Sequence, residues 1–143
     1  MTFFEWLAYA LFGRHWLFYR FKLEYKVDLH IKEVDLKYQM RRADEARARK
    51  TKLDTQLAEL REKPLDEVDA SVTGKERYDA EKAIREQRAE EEKVLENRIK
   101  SAEQESFAAD GEVGRLNASI YSLRRRWDFF KERGFEPSYI DRS

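Results

Sequence analysis

The sequence contains no cysteine, only five glycines and two prolines, and no net charge at neutral pH. The absence of cysteine excludes disulfides, cysteine-based zinc sites and cysteine nucleophiles. The balance of 29 basic and 29 acidic side chains argues against a dedicated nucleic-acid-binding protein, which normally has a basic excess. Because glycine and proline mark turns, their scarcity in 143 residues predicts few turns and long elements.

Sequence motifs of catalysis are also missing. There is no glycine-rich phosphate loop and no G-x-S-x-G, and His15 and His30 are isolated, without H-E-x-x-H spacing. The carboxylate clusters at 90–92 and 103–105 are typical of a solvated helix face, because a catalytic pair needs an enclosed pocket. We therefore expect a non-enzymatic protein with no catalytic, cofactor-binding or metal-binding residues, and no nucleic-acid partner.

The sequence has no long uninterrupted apolar run. Its N-terminal segment, MTFFEWLAYALFGRHWLFYRF, is rich in aromatic residues, but Glu5, Arg14 and His15 make it marginal as a membrane span. It also lacks the basic start and the cleavage site of a secretory signal. Aromatic residues close to arginine and lysine suit a membrane–water boundary. The segment is therefore predicted to be an interfacial or protein-buried anchor helix.

The remaining sequence is rich in Ala, Glu, Lys, Leu and Arg, a composition typical of long helices. Thr2 and Glu5 form a capping box that starts a helix, which Gly13 then ends or bends. The clear interruption, PLDEVDASVTG, lies between Pro64 and Gly74. The predicted segments are an aromatic anchor helix (1–21), a first hairpin helix (22–63), a connecting turn (64–74), a second hairpin helix (75–133) and an extended tail (134–143).

The second helix has the strongest pattern, a seam of apolar or small residues spaced alternately four and three apart, which is a heptad repeat. The seam residues are Ala102, Ser106, Ala109, Val113, Leu116, Ile120, Leu123, Trp127 and Phe130. Folding the chain about Asp69 places Leu95 opposite Ala43 and the basic run 47–52 opposite glutamates 86–92. The predicted fold is all-α: a long antiparallel helical hairpin, coiled-coil-like, with an aromatic-rich N-terminal helix at its open end.

Residues 21–32, FKLEYKVDLHIK, alternate strictly between apolar and polar, which also fits a half-buried strand. As a helix, the region has two apolar stripes on opposite sides. The first stripe consists of Phe21, Tyr25, Leu29, Leu36 and Met40. The second stripe consists of Leu23, Val27, Ile31, Val34 and Tyr38. Because the first stripe faces the seam, the second stripe has no partner inside the hairpin. It is predicted to be covered by the N-terminal segment folding back, by a second copy or by another protein, and an interface with a partner helix is favoured.

The register brings aromatic residues from both ends of the chain together at one end of the hairpin. The predicted anchor residues are Phe3, Phe4, Trp6, Leu7, Trp16, Phe18, Trp127 and Phe130. Beside them, Arg124, Arg125 and Arg126 are predicted either to contact lipid phosphates or to pair with Glu5, Asp128 and Glu132. The basic run 41–52 fits salt bridging better than phosphate binding, which needs unopposed arginines.

These features predict a structural or accessory subunit of a larger, membrane-associated assembly, anchored by its aromatic end. Its partners would be other subunits, bound through the second stripe and the tail, with membrane lipid at the aromatic end. An organelle membrane or the bacterial inner membrane is favoured over free cytoplasm. Two alternatives stay open: a self-assembling virion or scaffold protein, and a soluble coiled-coil adaptor.

Overall fold

The computed structural model describes residues 2–130 and 132. Side chains are described for residues 2–4, 7, 10, 11, 13, 19–128 and 132. The described residues form two helices, α1 (Phe3–Glu62) and α2 (Gly74–Phe130), and include no strand. The two helices pack against each other, so the prediction of an all-α helical hairpin is confirmed. The alternating run 21–32 is helical, and its alternation reflects two opposite faces of one helix.

Helix α1 is bent at one glycine. The helix begins at Phe3, directly after the predicted capping residue Thr2, and continues to Glu62. Gly13 interrupts its regular backbone, with φ 75° and ψ −172°. Only glycine adopts this region without a steric cost from Cβ. The predicted bend at Gly13 is therefore present as a kink, with helix on both sides of it.

The chain divides into two compact units. The terminal unit comprises Met1–Met40 and Gly111–Ser143, and the hairpin unit comprises Arg41–Asp110. Each unit contains one segment of α1 and one segment of α2, and each is built on its own contacts.

The core of the hairpin unit is made largely of alanine. Its buried apolar residues are Ala43, Ala46, Leu57, Ala102 and Ala109. An alanine side chain reaches only one carbon from the backbone, so its burial requires the two helices to approach closely. The half-buried Leu53, Leu60, Leu95 and Ile99 lie on the same helix faces. The α2 part of the predicted seam is confirmed here, with Ala102 and Ala109 buried and Ser106 half-buried.

The connection between the helices is closed by local hydrogen bonds. The Ser71 amide donates to Asp69 Oδ1 at 3.0 Å, and the Val72 amide donates to the Asp69 carbonyl at 3.0 Å. This Asx turn reverses the chain shortly before α2 begins. Gly74 then opens α2 with φ 66°, a left-handed value that glycine supplies at little cost.

The predicted register of the hairpin is wrong. Folding the chain about Asp69 would place Lys50 opposite Arg88, but Lys50 pairs with Glu103 at 2.6 Å. The partner is displaced by about four turns of α2. Arg61 likewise pairs with Glu96 at 2.8 Å. The predicted glutamate partners at 86–92 therefore do not face the basic run.

The cause of the displacement lies in the connection. A cavity lined by Leu65, Val68 and Ala70 on one side and by Arg77 and Ile84 on the other shows that the connection runs alongside the first turns of α2. Consequently α2 begins before it meets α1, and its first turns pack against the connection instead of against a helix. The symmetric hairpin assumed from the sequence has no such overhang.

The terminal unit is held by apolar contacts between α1 and α2. Leu116 and Ile120 are buried, and the neighbouring seam residues Val113, Leu123 and Trp127 are half-buried. Tyr25 stacks on Trp127 with ring centroids 4.8 Å apart and planes 9° from parallel. The first stripe faces this seam as predicted at Phe21, Tyr25, Leu29 and Leu36, which are half-buried.

Met40 does not belong to the packed face of α1. Its side chain is 50% exposed, whereas the neighbouring Gln39 is half-buried. The half-buried α1 positions Leu29, Lys32, Leu36 and Gln39 follow heptad spacing, and that spacing selects Gln39. The packed face of α1 therefore includes polar residues, which a search for apolar spacing alone does not find.

Candidate functional site

The second stripe is an exposed row of large apolar side chains on α1. Their exposed fractions are 47% for Leu23, 56% for Val27, 53% for Ile31, 51% for Val34 and 62% for Tyr38. At 100° per residue, the five lie within an arc of about 80° and span about four turns. Single exposed apolar residues are common, but a continuous row of this kind is typical of an interaction surface.

The stripe lies on the side of α1 that faces away from α2. The half-buried residues Tyr25, Leu29 and Leu36 occupy the opposite side and pack toward the α2 seam. α1 in the terminal unit therefore has one apolar face covered within the chain and one that is open. Apart from the exposed Met40, the residues of both stripes lie on the faces predicted from the sequence.

Charged residues of opposite sign border the two long edges of the second stripe. One edge is basic and carries Lys26, His30 and Lys37; the other is acidic and carries Glu24, Asp28 and Asp35. All six are exposed. Glu24 is paired with Arg20 at 3.0 Å, whereas the other five form no ion pair among the described residues. This opposition of charged edges was not predicted from the sequence, because it matters only when the covered side of α1 is known.

The N-terminal segment before Gly13 presents a second exposed apolar group. Phe3, Phe4, Leu7 and Leu11 are 69%, 77%, 38% and 67% exposed. The rings of Phe3 and Phe4 meet edge to face with centroids 6.0 Å apart. At 100° per residue, the four side chains fall within an arc of about 100°. This group forms one side of the helix that leads to the kink.

The remaining predicted anchor residues fall into two sets. Trp127 is half-buried and stacks on Tyr25 inside the terminal unit. The side chains of Trp6, Trp16, Phe18 and Phe130 lie outside the described residues, as does the whole of the predicted tail, 134–143.

The three consecutive arginines of α2 have different surroundings. Arg124 forms an ion pair with Glu33 of α1 at 3.3 Å. The guanidinium of Arg125 lies 6.0 Å from the ring centroid of Tyr121. Arg126 lines a small cavity together with Tyr25 and Trp127. All three side chains remain exposed, so their partners within the chain are surface contacts.

The basic run of α1 is paired with acidic residues across the hairpin unit. Arg47 contacts both carboxylate oxygens of Asp110 at 2.6 and 2.7 Å, and Arg49 contacts Glu105 at 2.8 Å. The predicted salt bridging of this run is present, although its partners on α2 differ from those expected. These arginines are opposed by carboxylates, the arrangement that disfavours phosphate binding.

These pairs shift the pKa values of their members. The hydrogen bond to Asp110 raises the pKa of Arg47, and the hydrogen bond to Glu103 raises that of Lys50. The hydrogen bond from Arg42 lowers the pKa of Glu105, and the charge of Arg49 adds to the effect. Each shift favours the charged form of the group concerned, Arg47, Lys50 or Glu105.

Comparisons of the chain with protein-family models, curated proteins and solved structures found no match. Across residues 2–130, no helical stretch combines the length and the apolar content that a membrane crossing requires. Within the same part of the chain, no three His, Asp or Glu side chains converge as a metal-binding group would.

Proposed function

We propose that this chain is a non-enzymatic structural component of a larger protein assembly, and that the second stripe packs against a helix of another subunit. The observation that carries the proposal is the exposure of all five stripe residues on the side of α1 opposite α2. An amphipathic partner helix would cover this row with its own residues spaced three and four apart.

The size of the stripe sets the strength of the contact. Covering the exposed half of one Val, Leu or Ile side chain contributes about 1 kcal/mol. The four aliphatic residues and Tyr38 together supply about 5 kcal/mol on this side of the interface, against an association cost of about 4–15 kcal/mol. The stripe alone therefore supports weak association, and a stable assembly needs further contacts. The exposed N-terminal group around Phe4 and Leu11 is available for that purpose.

The hairpin itself is suited to holding such a surface in place. Within each unit, the buried and half-buried positions of α2 follow heptad spacing, from Leu95 to Ala109 and from Val113 to Trp127. This spacing supports coiled-coil packing of α2 on α1, in which side chains of one helix fit between those of the other. A coiled-coil hairpin presents its outer residues on a rigid helix.

A substitution in the stripe tests the proposal. Val34→Asp places a charge in the middle of the row without touching the packed face of α1. Phe107→Asp is the matched control, because Phe107 is 82% exposed and belongs to α2 in the hairpin unit. The measurement is affinity capture from the native source with quantitative mass spectrometry, after circular dichroism has verified folding. Subunits recovered with the wild type and Phe107→Asp should be lost with Val34→Asp; equal recovery with all three baits would contradict the proposal.

Membrane association through the N-terminal segment is the second candidate function. It is favoured by the exposed group Phe3, Phe4, Leu7 and Leu11, which forms one apolar side of a helix, as interfacial helices do. The arginines at 124–126 would then meet lipid phosphates. The test is co-sedimentation with neutral and anionic vesicles. Wild type should pellet with the vesicles and Phe4→Glu/Leu11→Glu should not, with Phe107→Glu as control. If the wild type stays in the supernatant, this candidate fails.

A further inference from the structure

We propose that the second stripe pairs with the second stripe of another copy of this chain, with the two α1 helices parallel. The inference rests on the proposed function, because it names the partner of that same surface. Val27, Ile31, Val34 and Tyr38 follow one another at intervals of four, three and four residues, the spacing of the contact positions in a two-stranded coiled coil. Each of them is at least half exposed.

The charged edges of the stripe indicate that the partner is a second copy. A surface with one basic and one acidic edge is complementary to itself, because a rotation by 180° about an axis parallel to α1 brings each basic edge against an acidic one. On either side of the apolar row, His30 of one copy would then face Asp35 of the other. A helix of another protein would need matching edges of its own, whereas a second copy already has them.

The same edges decide the direction of the pair. In a parallel pair of helices, the residues flanking one side of the contact row meet those flanking the other side of the partner's row, so basic meets acidic. In an antiparallel pair, the basic edge of one copy meets the basic edge of the other, and acidic meets acidic. Lys37 of one copy would then approach His30 of the other, and Asp28 would approach Asp35. Like charges placed together oppose pairing. The arrangement of Asp28, His30, Asp35 and Lys37 therefore favours the parallel form.

The contact row is short, at about three helical turns from Val27 to Tyr38, so the dimer is expected to be weak. We expect a dissociation constant on the order of 10–100 µM. Sedimentation equilibrium of the full chain between about 1 and 500 µM should show the average mass rising from monomer to dimer. Val34→Asp should remain monomeric over the whole range, and Phe107→Asp should behave as the wild type. A wild-type chain that is monomeric throughout, or a dimer unaffected by Val34→Asp, overturns the inference.

Cysteine cross-linking tests the direction. The chain contains no cysteine, so a single introduced thiol reports on one position. In the parallel pair, residue 27 of one copy lies beside residue 27 of the other, and residue 38 lies beside residue 38. Val27→Cys by itself and Tyr38→Cys by itself should therefore each form disulfide-linked dimers on mild oxidation. In an antiparallel pair, residue 27 lies beside residue 38, and only a mixture of the two variants cross-links. The second result overturns the parallel form.

A charge exchange tests the role of the edges. Asp35→Lys and His30→Glu should each weaken the dimer by about three- to tenfold, because the first removes the acidic partner of His30 and the second places two acidic residues across the row. The double variant Asp35→Lys/His30→Glu should restore the wild-type constant. Failure of the double variant to restore it counts against the inference.

The outcomes separate this inference from the proposed function. If the chain is monomeric but Val34→Asp still loses captured subunits from the native source, the partner is another protein and only the inference fails. If neither self-association nor capture depends on Val34, the second stripe is not an interface and both fail.

Discussion

Arg88 of α2 donates a hydrogen bond to the backbone carbonyl of Lys63 at 2.8 Å, just beyond the end of α1. The same guanidinium donates to the carbonyls of Leu60 and Pro64. The last four carbonyls of a helix have no partner within that helix. One arginine of the second helix thus supplies donors where the first helix ends, and it ties the start of the connection to α2.

Removing this cap should destabilise the hairpin unit. Arg88→Met keeps much of the aliphatic stem but removes all the donors, and the expected loss is about 1–2 kcal/mol of unfolding free energy. Urea unfolding followed by circular dichroism measures it. Arg85→Met is the control, because Arg85 is exposed and caps no carbonyl among the described residues. If the two variants unfold at the same urea concentration, the cap does not stabilise the protein.

Much of the fold follows from composition and periodicity. The heptad spacing of the α2 seam predicted that Leu116 and Ile120 would be buried, and both are. The register did not follow, because it depends on how far the connection runs along α2, and turn residues such as Asp69 do not encode that length. The packed face of α1 was recognised only in part, because Lys32, Gln39 and Lys50 occupy heptad positions without being apolar.

The candidate site was also predicted only in part. The second stripe was identified from helical spacing, and its side chains are exposed as expected. The partner of Arg124 was not identified: Glu33 meets it in the folded chain, whereas the wrong register suggested acidic residues nearer the chain ends. The opposed edges at Lys37 and Asp35 were visible in the sequence, but they acquire meaning only when α2 is known to cover the other side.

The stacking of Tyr25 on Trp127 should contribute a measurable coupling energy in the terminal unit. The double-mutant cycle of Tyr25→Leu and Trp127→Leu should give about 0.5–1.5 kcal/mol, the range for stacked aromatic pairs. The control cycle combines Tyr25→Leu with Tyr121→Leu, because Tyr121 is 63% exposed and has no ring contact with Tyr25 among the described residues. That cycle should be additive. A coupling as small as in the control would show that the rings contribute only through their separate burial.

Gln39 is expected to be a site where substitution stabilises the protein. Its Oε1 atom is buried and has no hydrogen-bond partner among the described residues. A buried acceptor without a partner costs about 1–3 kcal/mol, so Gln39→Leu should raise the unfolding free energy by about 1 kcal/mol. Gln104→Leu, at an exposed position of α2, should change it by less than about 0.5 kcal/mol. A lower melting temperature for Gln39→Leu would indicate that the amide has a partner in solution.

The stability of the hairpin unit should fall at both ends of the pH scale. The pKa of Glu105 is lowered from its ordinary 4.5 by the hydrogen bond from Arg42, and that of Asp69 is lowered from 3.8 by the hydrogen bond from the Ser71 amide. A lowered pKa means that the folded state holds its proton less tightly than the unfolded chain does. The stabilisation is therefore present above these ordinary values and is lost as the pH falls through the folded-state pKa.

The stability contributed by Lys50 has the opposite dependence on pH. Its hydrogen bond with Glu103 raises its pKa above the ordinary 10.5, so its contribution is complete below that value and disappears as the pH rises through the folded-state pKa. Urea unfolding should therefore give a plateau between about pH 5.5 and 9.5, with lower stability on both sides. Glu105→Gln should reduce the acid slope, whereas Glu62→Gln, at an exposed position outside these pairs, should leave it unchanged. Identical acid slopes for wild type and Glu105→Gln would show that the Arg42–Glu105 contact does not persist in solution.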